Sequence, residues 1–153
     1  MTAKELLNLP RLMNESINMD FLYLQRLRRL LSQYGGSDAL KECVQGGRLP
    51  DSPASRLVDN IVDLEHKINS KLLEYDALMD TVIQAIECCR DYKEISVLKK
   101  RYLEEKHIEV ICEEMQLSQS RVFEILRSAQ MKVGNFIKEN HLEEIGNGTG
   151  QED

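Results

Sequence analysis

The stretch from Ile95 to Val133 reads ISVLKKRYLEEKHIEVICEEMQLSQSRVFEILRSAQMKV, and its apolar spacing predicts three short amphipathic helices. Gln116–Ser118 separates the last two helices, and the Ser118 hydroxyl is suited to cap the helix that follows. A short helix, a three-residue turn and a capped second helix are typical of a helix-turn-helix. The apolar groups are Ile95, Leu98, Tyr102 and Leu103; Ile108, Ile111, Cys112 and Met115; and Val122, Ile125, Leu126, Ala129 and Val133.

The same stretch resembles the fourth conserved region of bacterial sigma factors, which reads R-Y, then E-I-A-E-x-ϕ-G-ϕ-S, then V and A. The matching residues here are Arg101-Tyr102-Leu103, Ile111–Ser118, and Val122, Ile125 and Ala129. Cys112 stands where the pattern has alanine. Gln116 stands where glycine is typical, which predicts that the left-handed turn conformation is strained or absent.

Three further segments resemble small proteins of phages and prophages in Gram-positive bacteria. They are Met1–Glu5 (MTAKE), Arg48–Asp51 (RLPD) and Ile61–Glu65 (IVDLE). In those proteins an N-terminal helical region precedes a sigma-like helix-turn-helix. The resemblance extends to about Asn140 and implies a sigma-like DNA-binding module.

Composition indicates a small helical protein. Of its 153 residues 42% are hydrophobic, with 8 Gly, 3 Pro and no Trp. Abundant Leu, Glu, Lys and Arg favour helix over sheet, and no sustained alternation predicts a strand. No apolar run approaches the roughly 20 residues of a membrane span, and no secretory signal opens the chain. We therefore expect an all-α protein of the cytoplasm without a membrane partner.

Two long helices are predicted in the N-terminal half. Thr2 and Glu5 have capping-box spacing, Pro10 is expected to kink or end the first piece, and a longer helix is expected over Leu12–Gln33. A second helix, Ser55–Cys89, carries a heptad stripe in which Lys71 is the exception to apolar character. The stripe residues expected to mediate oligomerisation are Leu57, Ile61, Leu64, Ile68, Tyr75, Leu78 and Val82.

These helices predict an antiparallel, coiled-coil-like hairpin, a pairing with a second copy of the chain, or both. The second helix exceeds the first by nearly 20 Å at about 1.5 Å per residue, so part of its stripe lacks a partner. That surplus predicts a homodimer or higher oligomer, and a monomeric hairpin capped by the C-terminal domain is the alternative. The expected domains are a hairpin region 1–90 with an irregular loop 34–54, a sigma-like domain 91–140 and a disordered acidic tail 141–153.

Charge is distributed unevenly along the chain. The net charge of −6 divides into +2 for residues 1–34, −5 for 35–89, +1 for 90–140 and −4 for the tail. DNA-binding domains are usually distinctly basic, because neutralised phosphates supply most non-specific affinity. A nearly neutral C-terminal domain therefore argues against tight non-specific binding.

No group of residues predicts catalysis, a metal site or a cofactor. Cys88 and Cys89 are adjacent while Cys43 and Cys112 are isolated, unlike the spaced pairs of zinc sites. The three histidines lie in different predicted elements, and no phosphate-binding glycine loop occurs. We expect no enzyme.

The resemblance implies that the first turns of the last helix face DNA. Gln119 and Ser120 would bond base edges, and Arg121 and Arg127 would reach phosphate or guanine. Phe123 and Glu124 depart from the usual polar or basic residues, although a ring can meet a thymine methyl and a carboxylate can accept from cytosine. The residues expected to hold phosphate ahead of that helix are Lys99, Lys100, Arg101, Lys106 and His107.

Two functional interpretations follow. The first is a phage-type transcription regulator that binds double-stranded DNA and uses its hairpin for dimerisation or contact with host RNA polymerase. The second is a protein-interaction or assembly module, or a subunit resembling the small terminase of DNA packaging, whose helix-turn-helix does not read promoters.

Overall fold

A computed structural model describes residues 1–34 and 52–142. Over these residues the chain forms helices and no strand, so the predicted all-α class is confirmed there. Most of the predicted loop 34–54 and of the predicted tail 141–153 lies outside the described residues. None of the described helices combines the length and apolar character of a bilayer span. The helices are α1 (Ala3–Ser32), α2 (Pro53–Glu87), α3 (Tyr92–Leu98), a π-helical turn (Lys99–Leu103), α4 (Ile108–Met115) and α5 (Gln119–Glu139).

The start of α1 follows the predicted capping box. The Thr2 amide donates to Glu5 Oε2 at 2.7 Å, and the Glu5 amide donates to Thr2 Oγ1 at 3.2 Å. Pro10 was expected to kink or end the first piece; the end is wrong, because α1 continues through this residue and spans 30 residues. Proline removes one backbone hydrogen bond, but Leu6 and Leu7 on the preceding turn are fully buried and hold the helix in place.

The described residues of Met13–Tyr75 form one compact unit. Its core joins apolar side chains of α1 to those of α2: Leu24, Leu27, Leu31, Ile61, Leu64 and Ile68. Lys71, the polar exception in the heptad stripe, is half-buried and donates to Asp20 Oδ2 at 2.5 Å and Ser16 Oγ at 2.8 Å. Arg28 pairs with Glu65 at 2.8 Å, so the two helical segments run in opposite directions. The stripe thus accommodates a lysine because α1 supplies its counter-charge.

The second compact unit contains Met1–Leu12 together with the described residues from Asp76 onward. Its fully buried side chains include members of every helix in that part of the chain: Leu6, Leu7, Val82, Ile86, Val97, Leu98, Ile111, Val122 and Val133. Glu94 on α3 is buried, and its carboxylate accepts from Ser128 Oγ at 2.8 Å and Lys132 Nζ at 2.7 Å on α5. A buried carboxylate needs such partners, since an unpaired buried charge is costly.

The turn between α4 and α5 contains the left-handed conformation that the sequence predicted to be strained or absent. Gln116 lies in the left-handed region at φ 55° and ψ 45°, so the alternative that this conformation is absent is wrong. The Leu117 amide donates to the Cys112 carbonyl at 3.1 Å and the Gln116 amide to the Glu113 carbonyl at 3.4 Å, the pattern of a Schellman motif. Ser118 then caps α5, as predicted, by accepting from the Arg121 amide at 3.2 Å.

We predict that Gln116→Gly raises the free energy of unfolding by about 0.5–1 kcal/mol. Glycine relieves the strain of a non-glycine residue in the left-handed region, which is about 1–2 kcal/mol. Glycine also makes the unfolded chain more flexible, and this reduces the gain in stability by about 0.4–1 kcal/mol. Urea unfolding followed by circular dichroism measures the difference. Gln25→Gly is the matched control: at this exposed α1 position the same change should destabilise by about 1 kcal/mol. A lower free energy of unfolding in both variants would contradict backbone strain at Gln116.

The buried thiol of Cys89 predicts a loss of stability in alkali. Burial, reinforced by the neighbouring Cys88 thiol, raises the pKa of Cys89 to about 12, whereas an unfolded thiol ionises near ~8.5. Above the unfolded value the unfolded state releases a proton that the folded state keeps, so stability falls as pH rises toward 12. The expected slope is up to about 1.4 kcal/mol per pH unit, measured as the difference between wild type and Cys89→Ala at pH 8, 9 and 10. If the free energy of unfolding changes equally with pH in the wild type and in Cys89→Ala, this prediction is wrong.

Candidate functional site

A cavity of about 770 Å³ lies in the unit that contains the start of α1 and the C-terminal helices. Lys4, Asn8 and Arg11 line it from α1, at the i, i+4, i+7 spacing that places three side chains on one helical face. From α5 it is lined by residues at the equivalent spacing: Phe123, Leu126, Arg127 and Gln130. We call this space the α1–α5 cavity.

The π-helical turn and the start of α4 complete the α1–α5 cavity. Arg101 and Tyr102 on the turn line it, and Gln130 donates from Nε2 to the Tyr102 hydroxyl at 2.7 Å. The turn is defined by the Glu104 amide, which donates to the Lys99 carbonyl at 2.9 Å, five residues earlier. The remaining lining residues are Glu105, His107 and Ile108.

Charge in the α1–α5 cavity contrasts with that of the chain. Four basic side chains, Lys4, Arg11, Arg101 and Arg127, line it together with one carboxylate, Glu105, whereas the whole chain carries −6. Concentrated like charge along a cleft raises the local potential and attracts ions of opposite sign. The α1–α5 cavity is therefore suited to an anion.

The eleven side chains predicted to contact DNA fall into separate environments. Four of them line the α1–α5 cavity: Arg101, His107, Phe123 and Arg127. Lys99 on the π-helical turn is half-buried. Gln119, Ser120, Arg121 and Glu124 are exposed on the first turns of α5, where Arg121 Nη1 lies 3.2 Å from Glu124 Oε2. The remaining two, Lys100 and Lys106, are held by carboxylates.

Glu114 on α4 binds both of these lysines. Lys100 Nζ lies 2.6 Å from one carboxylate oxygen and Lys106 Nζ lies 2.7 Å from the other, while Glu104 lies 3.0 Å from Lys106. Hydrogen bonds from Lys100 and Lys106 lower the pKa of Glu114, and its carboxylate raises the pKa of Lys106. A phosphate approaching either lysine would compete with an intramolecular carboxylate.

Sequence reasoning missed Lys4, Asn8 and Arg11 as members of a site. The net charge of +2 in residues 1–34 was a signal, and so was the i, i+4, i+7 spacing. Neither reveals that the start of α1 belongs to the compact unit of the C-terminal helices, since that pairing joins residues more than a hundred positions apart.

The predicted oligomerisation stripe packs within the chain. Ile61, Leu64 and Ile68 belong to the Met13–Tyr75 core, and Leu78 and Val82 are buried in the other unit. Leu57 and Tyr75 are half-buried. With α1 at 30 residues and α2 at 35, the length difference shrinks to about 8 Å, less than half of the predicted surplus. The stripe is therefore not a free surface.

Among residues 1–34 and 52–142, no three His, Cys, Asp or Glu side chains are placed to hold a metal ion together. Cys43 lies outside this part of the chain. No protein-family model, curated protein or solved structure matches this sequence.

Proposed function

We propose that this protein is a phage-type transcription regulator that binds double-stranded DNA through a sigma-like helix-turn-helix formed by α4 and α5. The observation that carries the proposal is the capped start of α5: Ser118 ends a short turn, and Gln119, Ser120 and Arg121 stand exposed on the first helical turn. Recognition helices present the side chains of their N-terminal turns to the major groove. Arg121 supplies a donor group for guanine or phosphate.

The long helices α1 and α2 would serve self-association or contact with host RNA polymerase. Since the heptad stripe is internal, such contacts would use apolar side chains that the Met13–Tyr75 unit leaves exposed. Met19, Leu22 and Leu73 are 70%, 65% and 73% exposed, so their side chains are available to a partner. A homodimer through these residues is the oligomer that we propose in place of one through the stripe.

The alternative function is a protein-interaction or assembly module, including a DNA-packaging subunit of the small-terminase type. One observation favours it: Glu114 occupies both Lys100 and Lys106, so two of the cations predicted to hold phosphate are already neutralised. Phosphate contacts dominate the affinity of proteins for DNA.

Two substitutions of opposite expected effect test DNA binding. Arg121→Ala should weaken it by about 1–3 kcal/mol if Arg121 is bidentate to guanine, with the loss confined to one base position. Glu114→Gln should strengthen it, because Lys100 loses its carboxylate partner and Lys106 keeps only Glu104. Both lysines can then bind phosphate more readily, which steepens the salt dependence. The measurement is fluorescence anisotropy with the phage's late-promoter duplex at several salt concentrations, and circular dichroism verifies helical content.

Glu113→Gln is the matched control for Glu114→Gln. It makes the same charge change at the adjacent exposed position of α4, and it leaves the Glu114 ion pairs intact. At low salt the Glu114→Gln variant should therefore bind duplex DNA more tightly than the Glu113→Gln variant. If no variant and no wild-type protein binds duplex DNA near physiological salt, the assembly interpretation replaces transcription regulation.

A further inference from the structure

The α1–α5 cavity combines cations with aromatic side chains in a volume suited to a small ligand. At about 770 Å³ it falls within the roughly 300–1,000 Å³ range of ligand pockets. Lys4, Arg101 and Arg127 offer charge-assisted donors, Arg101 beside its hydrogen bond to the Lys106 carbonyl at 3.2 Å, and Tyr102 and Phe123 offer rings. Arginine and lysine bind phosphate oxygens strongly, and aromatic side chains stack on nucleobases.

The start of α4 adds to this chemistry. His107, its N-terminal capping residue, lines the cavity together with Ile108. The backbone amides and dipole of a helix N-terminus favour a negatively charged group. The amide nitrogens of Asn8 and Gln130 donate to the Lys4 carbonyl at 2.9 Å and to the Tyr102 hydroxyl at 2.7 Å, and their amide oxygens can accept from the edge of a base.

We propose that the α1–α5 cavity binds a single nucleotide, with its phosphate among the arginine and lysine side chains and its base against Tyr102 and Phe123. An intact duplex keeps its bases stacked and would offer this cavity only backbone phosphate, leaving the rings unused. A free nucleotide presents both a phosphate and a base face. This inference goes beyond the proposed function. The nucleotide site and the proposed DNA-binding surface are connected because both include Arg127 and Phe123.

The test is isothermal titration of the full chain with AMP, adenosine and inorganic phosphate. AMP should bind more tightly than either of the others, since it alone engages both cations and rings. Arg11→Gln and Lys4→Gln should each weaken AMP binding by about tenfold, the loss expected for one charge-assisted hydrogen bond. Phe123→Leu should weaken AMP binding while leaving inorganic phosphate unchanged.

Arg26→Gln is the matched control, because it removes the same charge from an exposed position of α1 outside the cavity. It should bind AMP as the wild type does. Lys4 and Phe123 are exposed, so their variants carry the test if Arg11→Gln fails to fold.

Parallel anisotropy with duplex DNA separates this inference from the proposed function. Arg121→Ala, outside the cavity, should reduce duplex binding and leave AMP binding intact. The nucleotide site is overturned if AMP fails to bind at millimolar concentration, if Arg26→Gln weakens it equally, or if the cavity variants change duplex binding alone. A wild-type protein that binds AMP but does not bind duplex DNA would instead remove the proposed function and keep the nucleotide site.

Discussion

Leu6→Ala should lower the free energy of unfolding by about 2–5 kcal/mol, as expected when a fully buried leucine is truncated and its cavity does not collapse. Leu6 lies on the second turn of α1 and has no exposed surface. It belongs to the same compact unit as the C-terminal helices. A loss of this size is a large part of the roughly 5–15 kcal/mol that stabilises a typical domain. Urea unfolding followed by circular dichroism measures it.

Leu12→Ala provides the matched comparison on the same helix. Leu12 is 50% exposed, so its truncation should change stability by only about 0.5 kcal/mol. Because both variants make the same chemical change in α1, helix propensity contributes equally to both. Equal and small losses of stability in the two variants would show that the start of α1 does not pack in a core. The α1 residues would then not line the α1–α5 cavity.

Ile68→Asp should prevent folding of the Met13–Tyr75 unit. Ile68 is 3% exposed and packs among the leucines of α1. A carboxylate there has no partner, and such unpaired buried charges belong to the rare substitutions that cost more than about 4 kcal/mol. Far-ultraviolet circular dichroism should show a large loss of helix at every protein concentration. Ile68→Val, which removes one methyl group, should cost only about 0.5–1.5 kcal/mol.

The same variant distinguishes an internal stripe from an interface between two chains. If Ile68 lay between two chains, its charged variant would remain a folded monomer, and wild-type stability would rise with protein concentration. Light scattering combined with thermal unfolding at several concentrations measures both quantities. A folded, monomeric Ile68→Asp protein would contradict the internal packing.

Local patterns predicted the helices and caps well, because each depends on a few neighbouring residues. The Thr2–Glu5 capping box and the Ser118 cap are confirmed, and α2 ends within two residues of the predicted Cys89. The helix does not end at Pro10, because tertiary burial of Leu6 and Leu7 offsets the local cost of proline. The left-handed Gln116 was only one of two possibilities, since its backbone conformation is set by the turn rather than by glutamine.

The candidate site was less accessible to sequence reasoning. The pattern of α5 indicated Phe123 and Arg127, which line the α1–α5 cavity. It gave no sign that Glu114 would hold Lys100 and Lys106, because these pairs join α4 to the π-helical turn and to the loop after it, across eight to fourteen residues. The predicted domain boundary lay between residues 90 and 91, whereas the compact units divide within α1 and α2. Lys4 and Arg11 therefore line the same cavity as residues far along the chain.

The π-helical turn at Lys99–Leu103 bears on how this region tolerates changes in length. A π turn holds one residue more than the α-helical turn it replaces. Deleting Lys100 would let α3 continue as a regular helix, and each residue of an α-helix advances the direction of the side chains by about 100°. Because the π turn already spreads one extra residue over a single turn, this deletion would turn Arg101 and Tyr102 by only a fraction of that angle and keep them near the α1–α5 cavity. Between α3 and α4 we therefore expect the chain to tolerate the loss of one residue better than the gain of another.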